Sequence, residues 1–242
     1  MKFDCDYSYR HYLEVLNFLK NTHEIGPISE IQSLQKNEKF VLLRHDVDFS
    51  LKSALDFAKV EAKKHFFSTY FVLLHSPYYN ALSPDNISRI KQISELGHEI
   101  GLHYDLELFS DEKIKIIKHE LEILKNVCGK EIKTIAPHNV ATSSKEKISL
   151  KNKIDAYNIG NKKNIEYISD SVQNWRNHCM CNHVSKNKLQ ILTHPLWWNK
   201  KSLDRNEIYK KFERENLIEV NQEIIKLKKY HKSYFKIIKK EK

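Results

Sequence analysis

Two short segments carry side chains that together could bind a divalent metal ion. Residues 44–48 (Arg-His-Asp-Val-Asp) place two carboxylates two positions apart, and residues 97–105 contain two histidines and a further acid. Carboxylates so close repel each other unless a cation or a shared proton relieves them. If one of Asp46 and Asp48 binds the ion, the other is free to act as a base. The alternative is a polar turn whose side chain caps the helix that follows.

The second segment favours a single histidine as a ligand. His98 and His103 are five positions apart, whereas the zinc-protease motif places its histidines four apart on one helical face. Residues five apart on a strand face opposite ways. We therefore assign His103, nearer the strand end, to the site and His98 to packing beneath it. Asp105 shares the face of His103 if the strand continues, and Glu107 lies one helical turn farther on.

The surrounding pattern predicts strands and helices in alternation, which is typical of an α/β fold with a mainly parallel sheet. The apolar runs predict strands at 39–43, 66–74, 98–103, 132–136, 154–159, 165–169 and 189–193. Helical spacing predicts helices over 51–64, from Ser83-Pro84 to Gly97, from Ser110-Asp111-Glu112 to Gly129, and over about 204–240. In such folds the chemistry lies at the carboxyl ends of the strands. The two aspartates, His103, His138 and His194 all fall just after apolar runs.

Composition is typical of one cytoplasmic α/β domain. The chain has 242 residues, 40% of them hydrophobic, which permits a sizeable core. The first residues are mixed and charged, unlike a signal peptide, and no window reaches the ~20 apolar residues of a membrane span. Four cysteines do not indicate a disulfide scaffold. We expect a cytoplasmic protein.

The positive charge is concentrated in the last residues. The net charge is +10, and residues 226–242 supply +7 of it through lysines at 226, 228, 229, 232, 236, 239, 240 and 242. The remainder is close to neutral, so we expect no nucleic-acid partner. The tail is either a solvated helix end or a peripheral contact with an anionic surface.

One compact set of ligand-type residues competes with the first site. Residues 178–183 (His-Cys-Met-Cys-Asn-His) hold two cysteines and two histidines. Structural zinc sites use wider ligand pairs, and alternate cysteines rarely reach one ion together with both flanking histidines. We therefore expect Cys179 and Cys181 to be reduced thiols, and whether they bind anything stays open.

Several of these segments resemble the motifs of the polysaccharide deacetylase superfamily, which includes chitin, peptidoglycan and nodulation-factor deacetylases. The resemblance covers about residues 40–200. By similarity Asp46 is the base, Asp48 a metal ligand and His103 the histidine that follows the Gly-His-Glu-Ile-Gly run at 97–101. Family members usually carry a second histidine where this chain has Glu107, which leaves the third ligand open.

Three later segments extend the resemblance. Residues 135–139 (Ile-Ala-Pro-His-Asn) resemble the third motif without its arginine and glycine, and the extra His138 is our choice for the missing ligand, with Glu107 or Asp105 as alternatives. Residues 170–176, from Asp170 to Arg176, resemble the motif that braces the catalytic histidine. Leu192-Thr193-His194 resembles the last motif and makes His194 the general acid.

The resemblance implies a distorted (β/α) barrel of about seven parallel strands, with a core at about 39–200 and a basic helical extension at about 204–242 in a single domain. It implies a hydrolase that uses a divalent metal, zinc or else cobalt, manganese or nickel, to remove an N-acyl group, such as acetyl, from a sugar or a nucleotide- or lipid-linked glycan precursor of the cell surface. Hydrolysis of a non-sugar amide or formamide, or carbohydrate binding without catalysis, are the alternatives.

Aromatic side chains near these motifs are candidates for substrate contact, because aromatic faces stack on sugar rings. Trp197 and Trp198 directly follow His194, and Tyr104 directly follows His103. We assign all three to substrate binding. Packing in the core is the alternative for the tryptophan pair.

Overall fold

The computed structural model describes residues 3–107, 112–138, 148, 150–160, 164–176 and 178–238. These fall into two compact units, divided between Ser202 and Leu203. The predicted helix start at Ser110-Asp111, and Asn139 of the third motif, lie outside the described residues.

The first unit is built on a parallel sheet. Its eight described strands are β1 Glu24–Pro27, β2 Phe40–Val47, β3 Thr69–Leu73, β4 Glu99–Tyr104, β5 Thr134–Pro137, β6 Ile154–Asp155, β7 Glu166–Ser169 and β8 Lys188–Thr193. Their order is β6-β5-β4-β3-β2-β8-β7, with β1 also paired to β2, and every pair is parallel. The seven-stranded path curls into a half-barrel with flanking helices, so the predicted fold class is confirmed.

Most of the described helices lie between strands in the chain, whereas the first precedes β1 and the last follows β8. The helices are α1 Tyr9–Lys20, α2 Ile31–Leu34, α3 Leu51–Ala62, α4 Pro84–Glu95, α5 Lys113–Cys128, α6 Ala156–Gly160 and α7 Arg205–Ile238. Helix α4 begins as the sequence predicts, with the Ser83 side chain accepting from the backbone of Asn86 and with Pro84 in the first turn. Gly129 ends α5 in the left-handed conformation at φ 67°.

Strand β2 explains how one sheet holds both a core and a polar site. Successive side chains of a strand point to opposite faces. Phe40 and Leu42 pack with Ile28 and Phe71 in one apolar cluster, and Arg44 and Asp46 continue the same face toward the carboxyl end. The other face carries His45 and then Val47, which joins the core formed by α3, α4 and α5. The polar carboxyl end of β2 therefore directly follows an apolar cluster on the same face of the strand.

Two elements differ from the sequence prediction. Strand β2 extends to Val47, because the polar residues at its end are paired inside the sheet rather than turned toward solvent. The segment 154–159 was predicted as a strand, but only Ile154 and Asp155 are extended. Helix α6 follows because the Asp155 carboxylate accepts from the backbone N–H groups of Tyr157 and Asn158. The structure also contains α1, β1 and α2, which the sequence analysis did not predict.

The second unit consists of helix α7 and the residues around it. This helix has 34 residues and alternates lysines with acids and apolar residues along its length. Among the described residues, no helix combines the length and the apolar character needed to cross a membrane.

Candidate metal and catalytic site

A cleft of about 660 Å³ opens at the carboxyl ends of the strands in the first unit. Ligand pockets typically enclose a few hundred to a thousand Å³. Side chains from β2, β4, β5 and β8 and the loops after them line the cleft, including Asp46, Asp48, His103, His138 and His194. The residues that the sequence places after separate apolar runs therefore meet in one cavity.

Three of these residues form a group suited to a metal ion. Asp48, His103 and His138 each offer one donor atom, and the three donor atoms lie within 4.8 Å of one another. Strand pairing explains the convergence, since β2, β3, β4 and β5 are consecutive neighbours in a parallel sheet. His103 pairs in register with Ala136, two residues before His138. Mixed oxygen and nitrogen donors suit Zn²⁺ and several other divalent ions.

The hydrogen bonds around the two histidines fit this use. The Nδ1 of His103 donates to the carbonyl of Ala136 at 2.9 Å, and the Nδ1 of His138 lies 3.0 Å from a carboxylate oxygen of Asp105. Each contact leaves Nε2 as the coordinating nitrogen, which is how outer residues orient metal-binding histidines. The Oδ1 atom of Asp48 is buried and lies 3.3 Å from His103 Nε2, but it makes no hydrogen bond of good geometry among the described residues. The donor set thus fits a divalent ion, which would also provide a partner for Asp48 Oδ1.

The other two residues considered as third ligands lie elsewhere. Asp105 supports His138 from behind and accepts from the backbone N–H of Glu107 at 2.9 Å. Glu107 is exposed and is not part of the group of donor atoms. The geometry therefore favours His138 over both acids.

Asp46 is held by Arg44, a residue that the sequence analysis did not assign to the site. The Arg44 Nη2 atom donates to both carboxylate oxygens, at 2.9 and 2.7 Å, and both side chains are buried. Burial raises the pKa of Asp46, but the Arg44 guanidinium and then His103 outweigh it and lower the pKa below its ordinary value. Asp46 is therefore ionised and fixed in place.

His194 is oriented by Asp170. The Asp170 Oδ1 atom lies 2.6 Å from His194 Nδ1 and accepts from the His194 backbone N–H at 3.0 Å. Trp198 Nε1 donates to the other carboxylate oxygen at 2.7 Å. This leaves His194 Nε2 facing Asp48, 3.6 Å from its Oδ2. Burial lowers the pKa of His194, but the hydrogen bond and charge of Asp170 outweigh it and raise the pKa to about 9.

Asp48, which directly follows β2, and His103 on β4 shift each other's pKa in opposite directions. Burial raises the pKa of Asp48, but the close contact with His103, 3.3 Å away, and the charge of that ring lower it well below its ordinary range. Burial lowers the pKa of His103, but the charge of Asp46 and the contact with Asp48 raise it. These opposite shifts describe a site in which negative carboxylates already attract positive charge.

The three aromatic residues assigned to substrate contact have different positions. Trp197 lines the cleft together with Phe49 and Tyr78, whose rings lie 5.0 Å apart, and the Phe49 ring lies 5.5 Å from that of Trp197. All three side chains are buried, with Trp197 and Trp198 each 1% exposed and Tyr104 2%, but Trp198 and Tyr104 do not line the cleft. Trp198 instead orients Asp170, and Tyr104 packs in the core with α5.

Arg176 also lines the cleft, where it is exposed. Its backbone N–H donates to the carbonyl of Ser169 at 3.4 Å. The structure therefore places it on the wall of the cavity, while Asp170 makes the contacts to His194 that orient the imidazole.

A buried polar network lies on the opposite face of β2. Glu61 of α3 is fully buried and accepts four hydrogen bonds. Tyr12 and His45 contact its Oε1 at 2.5 and 3.0 Å, and Ser68 and Tyr70 donate to its Oε2, each at 2.7 Å. The sequence analysis did not assign this network, because its members have no shared spacing along the chain.

Comparison with known proteins gives similarity in structure alone. The sequence matches no protein-family model, and no curated protein is significantly similar to it. The fold is similar to a domain of a multidomain xylanase from the hindgut metagenome of Trinervitermes trinervoides, with 15% identity, 77% of this chain and 85% of that chain covered, and a TM-score of 0.44. It is also similar to a family 4 carbohydrate esterase from Bacillus anthracis, with 16% identity, 87% and 86% covered, and a TM-score of 0.38. A family 4 acetyl xylan esterase from Clostridium thermocellum, solved with a cobalt ion, has 16% identity, 64% and 73% covered, and a TM-score of 0.39. We take the functional proposal from the geometry of this chain.

Proposed function

We propose that this chain is a metal-dependent hydrolase that removes an N-acyl group, such as acetyl, from a sugar or a glycan precursor. The supporting observation is the convergence of Asp48, His103 and His138 within 4.8 Å, with Asp46 and His194 beside them in one cleft. A base, an acid and a set of metal ligands are the groups that amide hydrolysis requires.

The reaction replaces the amide C–N bond by a C–O bond from water. A divalent ion, when bound by the three ligands, supplies polarisation of the acyl carbonyl and a lower pKa for a nearby water. Asp46 accepts the proton that the attacking water loses. Because Arg44 holds both of its oxygens, the carboxylate stays ionised and does not rotate.

The leaving amine needs a proton, and His194 is placed to give it. Asp170 fixes Nδ1 of the ring, so Nε2 faces the reacting centre. With its pKa raised to about 9, His194 carries the proton at neutral pH. The products are a free carboxylic acid and the amine of the sugar.

The sugar itself would lie against the aromatic wall. Tyr78, which is half exposed, and Phe49 present adjacent rings to the cleft, and the Trp197 ring, only 1% exposed, packs against Phe49. Aromatic faces in pockets bind the apolar side of a ring while polar groups fix its orientation. Arg176 on the same cavity supplies a positive charge suited to an anionic group on a nucleotide- or lipid-linked precursor.

The test is release of acetate from N-acetylated sugars by the purified chain after removal of metal and readdition of Zn²⁺ or Co²⁺. We expect Asp46→Asn and His194→Ala to lower kcat by about 10²- to 10⁴-fold, the usual contribution of a general base or acid. Asp56→Asn and His119→Ala are matched controls, because both residues are exposed on helices α3 and α5.

Two results would contradict the proposal. One is full activity in the chelated protein, and the other is unchanged kcat in both site variants. Release of acyl groups from non-sugar amides, with none from any sugar, would retain the mechanism and reject the substrate.

A further inference from the structure

A second group of metal-capable residues lies outside the cleft. Donor atoms of Cys5, His11, Cys179 and Cys181, here called the cysteine cluster, all lie within 4.8 Å of one another. The Nε2 atom of His11 lies 3.1 Å from the Cys179 sulfur. None of the four residues lines the cleft.

The fold assembles this cluster from two distant parts of the chain. Cys5 lies in the extended segment before α1, and His11 lies in the first turn of that helix. The Ser8 side chain caps the helix by accepting from the His11 backbone N–H. Cys179 and Cys181 lie at the start of a short 3₁₀ helix between β7 and β8. His178 and His183, which stand nearest these cysteines in sequence, are not in the cluster.

The donor set matches a closed zinc site. Three sulfurs and one imidazole are the ligands of Cys₃His structural zinc, which is tetrahedral. With Zn–S bonds of about 2.3 Å, tetrahedral sulfurs lie about 3.8 Å apart. The observed limit of 4.8 Å is therefore within about 1 Å of the bound geometry. Four protein ligands leave no position for substrate, so the role is structural.

The histidine gives independent support. His11 is completely buried, and its Nδ1 has no hydrogen-bond partner among the described residues. Its other ring nitrogen, Nε2, contacts the thiol of Cys179 at 3.1 Å, and a thiol is a weak partner. Buried polar groups normally have strong partners, so an imidazole in this position is poorly satisfied. A cation bound to Nε2 would give this buried imidazole a strong partner on the side that faces the Cys179 sulfur.

We propose that the cysteine cluster binds one structural Zn²⁺. The ion ties the N-terminal segment to the connection between β7 and β8. That connection begins at Asp170 and includes Arg176, and Tyr7 of the N-terminal segment stacks on Trp175 within it, with ring centroids 6.1 Å apart. Zinc in the cluster would thus brace the part of the chain that orients His194. This inference does not depend on the proposed hydrolase activity.

The test uses the full chain with the cleft ligands removed. In the double variant Asp48→Asn/His103→Ala, we expect about one zinc per chain by elemental analysis, since the cluster is intact. Replacing zinc by Co²⁺ in this variant should give an intense thiolate-to-cobalt charge-transfer band and the visible bands of tetrahedral cobalt. The cleft site contains no sulfur and cannot give the charge-transfer band.

The cluster is then removed in the same background. Cys5→Ser is the first choice because Cys5 is exposed and the substitution disturbs no core packing, and Cys179→Ser is the second. We expect either change to weaken the charge-transfer band, because one of the three thiolate ligands is lost, and to lower bound zinc at least tenfold at limiting metal concentration. Cys128→Ser is the matched control, because this free cysteine lies outside the cluster and should leave both readouts unchanged.

Two outcomes would overturn the zinc site: cobalt binding without a thiolate band, or a disulfide between cluster cysteines in anaerobically purified protein that contains no metal. Both readouts are taken without substrate, so a failure of the hydrolase proposal leaves this result unaffected.

Discussion

Replacing Glu61 by glutamine should destabilise the protein by about 3 kcal/mol. The carboxylate accepts four hydrogen bonds in a fully buried position. An amide keeps one oxygen, so two of the four donors lose their acceptor, and each such loss costs about 1–3 kcal/mol. Two such losses would cost about 2–6 kcal/mol in total. Because the hydroxyls of Ser68 and Tyr70 can turn and accept from the new amide, we expect a total in the lower half of this range, about 2–4 kcal/mol.

The pKa of Glu61 gives a second route to the same magnitude. Burial raises this pKa, but the charge of His45 and its hydrogen bond outweigh it and lower the pKa from 4.5 to about 2. A carboxyl group with a lower pKa in the folded state contributes stability above its unfolded pKa and loses it as the pH falls through the folded pKa. The shift corresponds to about 3 kcal/mol, present near neutral pH and lost between about pH 4.5 and pH 2.

The assay is denaturant unfolding of the wild type and Glu61→Gln from pH 7 to pH 3, with Glu95→Gln, an exposed acid at the end of α4, as the control. At pH 7 we expect the free energy of unfolding to fall by about 3 kcal/mol, or the Tm to fall by about 6–12 °C. The difference in the free energy of unfolding between the wild type and Glu61→Gln should be smaller by about 2 kcal/mol at pH 3 than at pH 7. The control should change by less than about 0.5 kcal/mol. A difference in unfolding free energy below about 1 kcal/mol at pH 7, or a difference that does not change with pH, would refute the reasoning.

Three further changes test the cleft and the sheet beneath it. Asp170→Asn should lower kcat by about 10²- to 10⁴-fold with little change in KM, because the amide no longer holds His194 in the required tautomer. Steady-state kinetics that show an effect on KM alone would contradict this role. Arg44→Met should cost about 3–5 kcal/mol in urea unfolding, because Asp46 is then a buried charge without its partner, and a stability equal to the wild type would show that the carboxylate is solvated. Gly101→Ala should cost about 1–3 kcal/mol, because a Cβ there would lie 2.5 Å from an aromatic ring on β3, and an unchanged Tm would mean that the strands can move apart.

The sequence predicts the alternation of strands and helices and most of the residues that meet in the cleft. The reason is local: Asp46, Asp48, His103 and His194 each lie within a few residues after an apolar run, and parallel strands bring their carboxyl ends to one edge. Arg44 was also within reach of this reasoning. It stands two positions before Asp46, and residues two apart on a strand share a face.

Other contacts in the structure cannot be predicted from the local sequence pattern, because they join residues that are far apart in the chain. Cys5 and His11 meet Cys179 and Cys181 only because the N-terminal segment pairs with the residues after β8, through bonds such as Tyr9 N–H to the carbonyl of Asn199 at 2.8 Å. The role of Trp198 likewise depends on the position of Asp170, which is 28 residues earlier. Contacts between such distant residues follow from the completed fold rather than from spacing.

Because side chains of β2 alternate between two faces that both carry polar networks, insertions or deletions within this strand are not tolerated. One face of this strand points Arg44 and Asp46 into the cleft, and the other points His45 toward Glu61. An insertion of a single residue between Phe40 and Arg44 would exchange the two faces, and both polar networks would be lost together. An insertion of two residues would keep the faces but displace the carboxylates by about 6.6 Å along the strand. Protein engineers who wish to alter this scaffold should therefore treat residues 40–48 as a segment of fixed length and place insertions in loops away from it.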